Sequence, residues 1–238
     1  IGELPFTSDD AVSNSIAYWR TYQKYLLDAN EHRGVKLLGF WTTTPSQLFL
    51  ANDTTTLAGM SGQKIRVTSP TLSAVAEALD LAQINAASSE TYEMMSRGTV
   101  DGTFFQSDSI VAFRLTDFID TQLSVPGGFT HSSQMLIMNP AKWDSISPED
   151  QATITELSGE AMARAFAAVW DEKAQEGDKT LAENDVTVID IEGAELETLQ
   201  ADLAYLRENW IAAANEAGVD GQAAMDYFNS QLEELASE

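Results

Sequence analysis

Between residues 64 and 115 the chain alternates short apolar segments with short amphipathic ones, and this constrains the fold more than any other feature. Lys64-Ile65-Arg66-Val67 reads as a strand. Residues 70–79 read as a helix, with Leu72, Val75, Ala76 and Leu79 on one face. Residues 82–84 form a second strand, and 88–97 a helix capped by Ser88 or Ser89 and stopped by Gly98. Phe104-Phe105 ends a third strand, and 107–115 is again helical. A β-α-β-α-β-α order argues for an α/β fold around a mainly parallel sheet.

Longer elements flank this block. Val12, Ile16, Trp19, Tyr22 and Leu26 recur at helical spacing after a cap at Ser8 or Asp9, and Gly34 is the expected stop. Residues 35–41 and 132–138 read as strands. Ser147-Pro148-Glu149-Asp150 opens a helix whose apolar pattern continues towards Asn184. Such a helix is on the order of 50 Å long, too long for one small lobe, so it is expected to span two, with Gly159 and Gly177 as candidate bends. Residues 186–191 read as a strand, and helices over 194–217 and 221–236 close the chain.

Composition excludes several functions. The 238 residues carry 13 Lys+Arg against 37 Asp+Glu, a formal net charge of −24. Nucleic-acid binding needs clustered cations, so no nucleic-acid partner is expected. There are no cysteines, hence no disulfide, thiol chemistry or thiolate metal site. No apolar run reaches the roughly 18–20 residues of a membrane helix. A phosphate-binding glycine loop and a nucleophile elbow are both missing, and His32 and His131 are far apart in sequence, with no catalytic partner identifiable from spacing. The many carboxylates read as solvated helix faces.

What remains is a small set of binding candidates. Arg66 lies inside a strand in a cation-poor chain; it is either an exposed or acid-paired arginine or a ligand group suited to a carboxylate. Phe104 and Phe105 end a strand, where α/β proteins place their ligands, although either residue also suits the core. Trp41 ends a strand before the polar run Thr42-Thr43-Thr44, so it is a candidate for the same site.

These residues fall within a resemblance to a known family. Glu3-Leu4-Pro5-Phe6, the run Leu57 to Val67 ending in Lys64-Ile65-Arg66, Glu90-Thr91-Tyr92 followed by Gly98-Thr99-Val100-Asp101-Gly102, and Met138-Asn139 through Ser147-Pro148-Glu149-Asp150-Gln151 occur in order. The chain resembles the DctP-type periplasmic solute-binding proteins of tripartite ATP-independent (TRAP) transporters. Gly59 and Ser61 depart from the family's usual Asp and Lys, and Met94-Met95 replaces Ala-Leu.

The resemblance implies a two-lobe periplasmic-binding-protein-like α/β fold joined by a long inter-lobe helix. Lobe I is expected over 1–40 and 126–170, and lobe II over 41–125 and 171–238. Lobe I is expected to be incomplete, because the chain starts well inside the family pattern, as an N-terminally truncated sequence would. The function implied is capture of an organic acid for a TRAP membrane permease, without catalysis, by a periplasmic monomer. An acid-residue hydrolase and a ligand-sensing interaction module are the alternatives. The resemblance carries Arg66 onto the arginine that grips the ligand carboxylate. Trp41, Thr42, Thr43, Tyr92 and Phe105 are expected around it, and these aromatic walls suggest an acid with a hydrophobic or aromatic body. Phe104 stands where metal-assisted members have an acidic ligand, so no metal or other cofactor is expected. Asp108 is expected either to compete for Arg66 or to face solvent.

Overall fold

A computed structural model describes residues 1–237. Among the described residues, eight strands form two sheets: β1 (Lys36–Thr42), β2 (Gln47–Leu50), β3 (Lys64–Val67), β4 (Ala82–Asn85), β5 (Gly102–Phe105), β6 (Thr121–Ser124), β7 (Ser133–Met138) and β8 (Thr187–Asp190). β1 and β7 pair antiparallel as a two-stranded sheet, while the other six are ordered β4-β3-β5-β2-β6-β8. The helices are α1 (Ala11–Thr21), α2 (Pro70–Ala78), α3 (Thr91–Ser96), α4 (Ser107–Ala112), α5 (Pro140–Asp144), α6 (Pro148–Leu157), α7 (Glu160–Glu183), α8 (Gly193–Glu216) and α9 (Gly221–Leu235).

The six-stranded sheet is covered on both faces because neighbouring side chains on a strand point opposite ways. Leu48 and Leu50 of β2 join Ile65, Val67, Leu72, Val75 and Phe104 in a core that also holds Leu199 and Leu203 of α8. Phe49, between the two leucines, faces a second core with Met95, Phe105, Ile110, Leu115 and Leu181. Each such buried side chain contributes about 1.5–3 kcal/mol.

The expected parallel sheet holds only in part. β3 pairs parallel with β4 and β5, and β6 with β8, but β2 runs antiparallel to both β5 and β6. Because β2 arrives from the other half of the molecule, it enters the sheet at the carboxyl end of β5.

Two long helices expected from the sequence are interrupted. The first ends at Thr21, passes through a π turn (Tyr22–Leu26) and a 3-10 turn (Leu27–Ala29), and stops at Asn30 with φ +53° rather than at Gly34. The second breaks between α6 and α7 at Gly159, which has φ +64°. A side chain there would meet the Trp19 ring 2.9 Å away, and the Gly159 amide donates to Leu38 O of β1 at 2.8 Å. Gly177 does not bend α7. It lets the helix lie against α4, because a Cβ there would sit 2.6 Å from the Ser107 and Asp108 backbone.

α7 therefore spans both halves, being about 36 Å long. Near its start it packs on α1 and β1, and further along on α4. At mid-length, Asp171 accepts from the Ala11 and Val12 amides at 2.7 and 3.1 Å, capping α1 from 160 residues away. The last helix departs from the expected assignment of 171–238 to one lobe. Met225 and Phe228 of α9 pack on Ile1 and Ala17, beside the two-stranded sheet, because the apolar stripe of α9 matches that of α1.

Candidate functional site

The two halves meet where two crossing segments pair with each other. Residues 43–46 lead from β1 to β2, and residues 125–132 lead from β6 to β7. Thr43 N donates to Ser132 O at 3.0 Å, Ser46 N to Thr130 O at 2.7 Å and Phe129 N to Ser46 O at 2.9 Å. Beside this pairing, at the carboxyl ends of β3, β4 and β5, lies a cavity of about 230 Å³. Its walls include Ser69, Ser88, Phe105, Gln106, His131 and Trp170. Hollows of about 410 and 350 Å³ flank α8, away from the strand carboxyl ends, and an open one of about 540 Å³ lies beside α2 and the ends of β3 and β4; none is lined by a buried cation or an aromatic wall.

Arg66 of β3 is 1% exposed and is not itself on the cavity wall; it lies behind Ser88 and Phe105, which are. In-register pairing sets it beside Thr103 of β5. Its Nη1 donates to Thr103 Oγ1 at 2.9 Å and more weakly to Phe104 O at 3.4 Å, its Nη2 to Ser88 Oγ at 2.8 Å, and its Nε to Ala86 O at 3.2 Å. The guanidinium lies 4.3 Å from the centroid of the Phe105 ring, which stacks on Phe113. Burial lowers its pKa to about 10, so it is still a cation at neutral pH. Every bonded partner is neutral. Among the described residues no carboxylate lies within ion-pair distance of Arg66, although the charge of Glu90 favours its protonated form.

The other expected site residues divide. Phe105 lies against the guanidinium and on the cavity wall. Thr43 lines the cavity too; its Oγ1 accepts from Gln106 Nε2 at 3.0 Å and from Ser132 N at 3.1 Å. Thr42 points the other way, fully buried on α1, where Asn14 Nδ2 donates to its Oγ1 at 3.0 Å. Trp41 is not on the cavity wall; its ring meets Phe166 of α7 edge-on at 4.6 Å. Tyr92 is 48% exposed and lies against Phe118, away from the cavity, because Thr91 and Met95 occupy the buried face of α3. Asp108 does not compete for Arg66. It is turned towards α7, where burial raises its pKa.

Several wall residues carry no recognisable sequence signal of their own. Gln106 is buried and holds the β5–α4 corner to the first crossing segment through Thr43 and Ser46, both at 3.0 Å. Ser88 and Thr103 hold Arg66 in place, and Phe113 and Trp170 complete the aromatic wall. Only the polarity of Gln106 at a strand's carboxyl end hints at its place.

This arrangement presents a fixed buried cation, aromatic surfaces and short hydroxyls around a one-ring-sized space between two halves. Residues 1–212 match the model of bacterial extracellular solute-binding protein, family 7, DctP. The chain belongs to the DctP family. Its fold is the two-lobe α/β fold of the family's solved members. A TRAP periplasmic solute-binding protein from Bordetella bronchiseptica, solved with bound (R)- and (S)-mandelate, is 33% identical with a TM-score of 0.93. The match covers 98% of this chain and 75% of that one. A TRAP solute-binding protein from Rhodoferax ferrireducens, solved with copurified benzoate, shares the fold at 19% identity and a TM-score of 0.87, covering 99% of this chain and 74% of that one. Among curated proteins, the outer membrane transporter protein TsaT of Comamonas testosteroni is 29% identical over 240 residues, covering 97% of this chain and 69% of that protein. DctP-family proteins are extracytoplasmic and bind substrates for transport, working with membrane permease components.

Proposed function

We propose that this DctP-family chain captures a small aromatic or otherwise apolar carboxylate in the periplasm and delivers it, as a monomer and without chemical turnover, to the membrane subunits of a TRAP transporter. One observation carries the reading: Arg66 is a buried cation whose bonded partners are all neutral. A buried charge is costly unless paired, and among the described residues no carboxylate lies within ion-pair distance of it. A ligand carboxylate presented to the guanidinium supplies the opposite charge, accepting from the second Nη2 N–H and displacing the weak Nη1 bond to Phe104 O.

Arg66 is then the carboxylate clamp, Phe105 and Phe113 flank the ligand body, and Thr43 and Gln106 hold the wall opposite. The cavity volume of about 230 Å³ lies below the roughly 300–1,000 Å³ usual for drug-sized ligands, which suits a single ring. Mandelate, bound by the relative from Bordetella bronchiseptica, has this size and charge. A chain at −24 repels anions at long range, so the attraction has to be local. Closure of the lobes about residues 43–46 and 125–132 excludes water and strengthens the pair.

Native mass spectrometry of the purified chain is expected to show a copurified small acid, and calorimetry to show saturable binding of mandelate or benzoate with no product formed. If no acid copurifies and neither compound binds between pH 6 and 8, the reading is wrong.

A further inference from the structure

His131 is 1% exposed, and both of its ring nitrogens face main-chain carbonyl oxygens. Nδ1 lies 2.7 Å from Thr43 O and Nε2 lies 3.0 Å from Ser8 O. A neutral imidazole has one N–H; it bonds one of these carbonyls and turns a lone pair on the other. Only the imidazolium donates to both. Burial opposes that form and holds the pKa of His131 below the ordinary 6.5. The geometry thus favours a charge that the surroundings of the ring penalise.

The charged groups around the ring are few. Asp9 and Asp10, ahead of α1, favour the cation. Glu3 lies on the same cavity wall, and Asp171 of α7 stands behind Asp10. The crossing segments 43–46 and 125–132 add no charged side chain besides His131 itself. A carboxylate entering the cavity that His131 lines adds its own attraction and so moves His131 towards protonation.

We propose that His131 is a second, titratable anion determinant of this cavity: capture of a carboxylate draws one proton from solvent onto the imidazole, which then donates to both Thr43 O and Ser8 O. The protonated ring ties the first crossing segment to the N-terminal segment, so the proton both adds charge beside the anion and fastens the junction of the lobes. No bond in the acid is made or broken. The inference rests on the acid-binding reading above.

The test is calorimetry of the full chain with mandelate, whose carboxyl stays ionised throughout, in PIPES and in Tris, which release different heats on losing a proton. A buffer-dependent heat corresponding to uptake of a fraction of a proton per mandelate is expected at pH 7.5. Affinity is expected to rise severalfold, up to about tenfold, from pH 8 to pH 6. H131Q is expected to lose both the buffer dependence and the gain at pH 6. Should H131Q not fold, the parent decides alone. With only two histidines, NMR titration separates His131 from His32, and the His131 pKa is expected below 6.5 without mandelate and higher with it. Mandelate binding with buffer-independent heats and an unmoved His131 pKa overturns the proposal and leaves the acid reading standing. Absence of binding by both mandelate and benzoate overturns the two together.

Discussion

On the six-stranded side of the cavity the charge is an arginine held by Thr103, Ser88 and Ala86 O. On the side of the crossing segments it is a histidine set between Thr43 O and Ser8 O. The first is a cation at any physiological pH; burial disfavours the charged form of the second, which on the proposal above is protonated when an anion enters beside it. The first belongs to a sheet covered on both faces, the second to a junction of segments that are distant in sequence. Rigid burial suits a permanent clamp, whereas a titratable group is useful where the structure has to respond to what enters.

The sharpest way to break this comparison is to remove the permanent charge. Arg66→Ala is expected to weaken mandelate binding by ~2–5 kcal/mol, roughly 30- to several-thousand-fold, in a calorimetric titration at pH 7.5. Unchanged affinity would leave Arg66 a structural residue and make His131 the sole cationic determinant. Next in size is Gly177→Ala. Helix propensity alone favours alanine by about 1 kcal/mol, but a Cβ would press on the backbone at Ser107 and Asp108. Overpacking there is expected to destabilise by ~1–3 kcal/mol, lowering Tm by about 2–4 °C for each kcal/mol. A higher Tm would mean that α7 is not held tightly to the six-stranded half.

Thr103→Val removes one neutral partner of the guanidinium while keeping the shape of the side chain. A loss of about 1 kcal/mol, roughly fivefold in mandelate affinity, is expected, with the dependence on pH intact. If the pH dependence also disappears, the two charged walls are not separable. The smallest effect is expected of Tyr92→Ala: this exposed ring lies against Phe118, so mandelate affinity should match the parent within error. A tenfold loss would place α3 in the site after all.

The sequence made the local parts of this molecule readable and left the long-range parts obscure. The alternation from β3 to α4 was visible because each element there carries its own periodicity. The direction of β2 is not legible: all four of its residues are buried, and a strand buried on both faces has no alternation to show its partners. β6, Thr121-Gln122-Leu123-Ser124, has too little apolar character to be read as a strand at all. Arg66 stands out as a cation flanked by Ile65 and Val67 in a cation-poor chain, and the family resemblance adds its role. Thr42 and Thr43 look alike in the polar run after Trp41, yet adjacent residues on an extended chain face opposite ways, sending Thr42 to α1 and Thr43 to the cavity. His131 was legible only as an isolated histidine, since its partners are backbone oxygens 88 and 123 residues away.

The cap that Asp171 places on α1 also has a consequence in time. α1 is held by a residue 160 positions further along, and Arg20 at its far end donates to Gln231, 211 positions on. No nascent chain can complete this half until nearly all of it has been made, whereas β3, α2 and β4 need only about twenty contiguous residues. Contacts of such separation form late, because the loop has to close before they repay its entropy. Pulse-labelled hydrogen exchange during refolding is expected to protect the amides of β3 and β4 before those of α1 and β1. Simultaneous protection would show that both lobes form in one step.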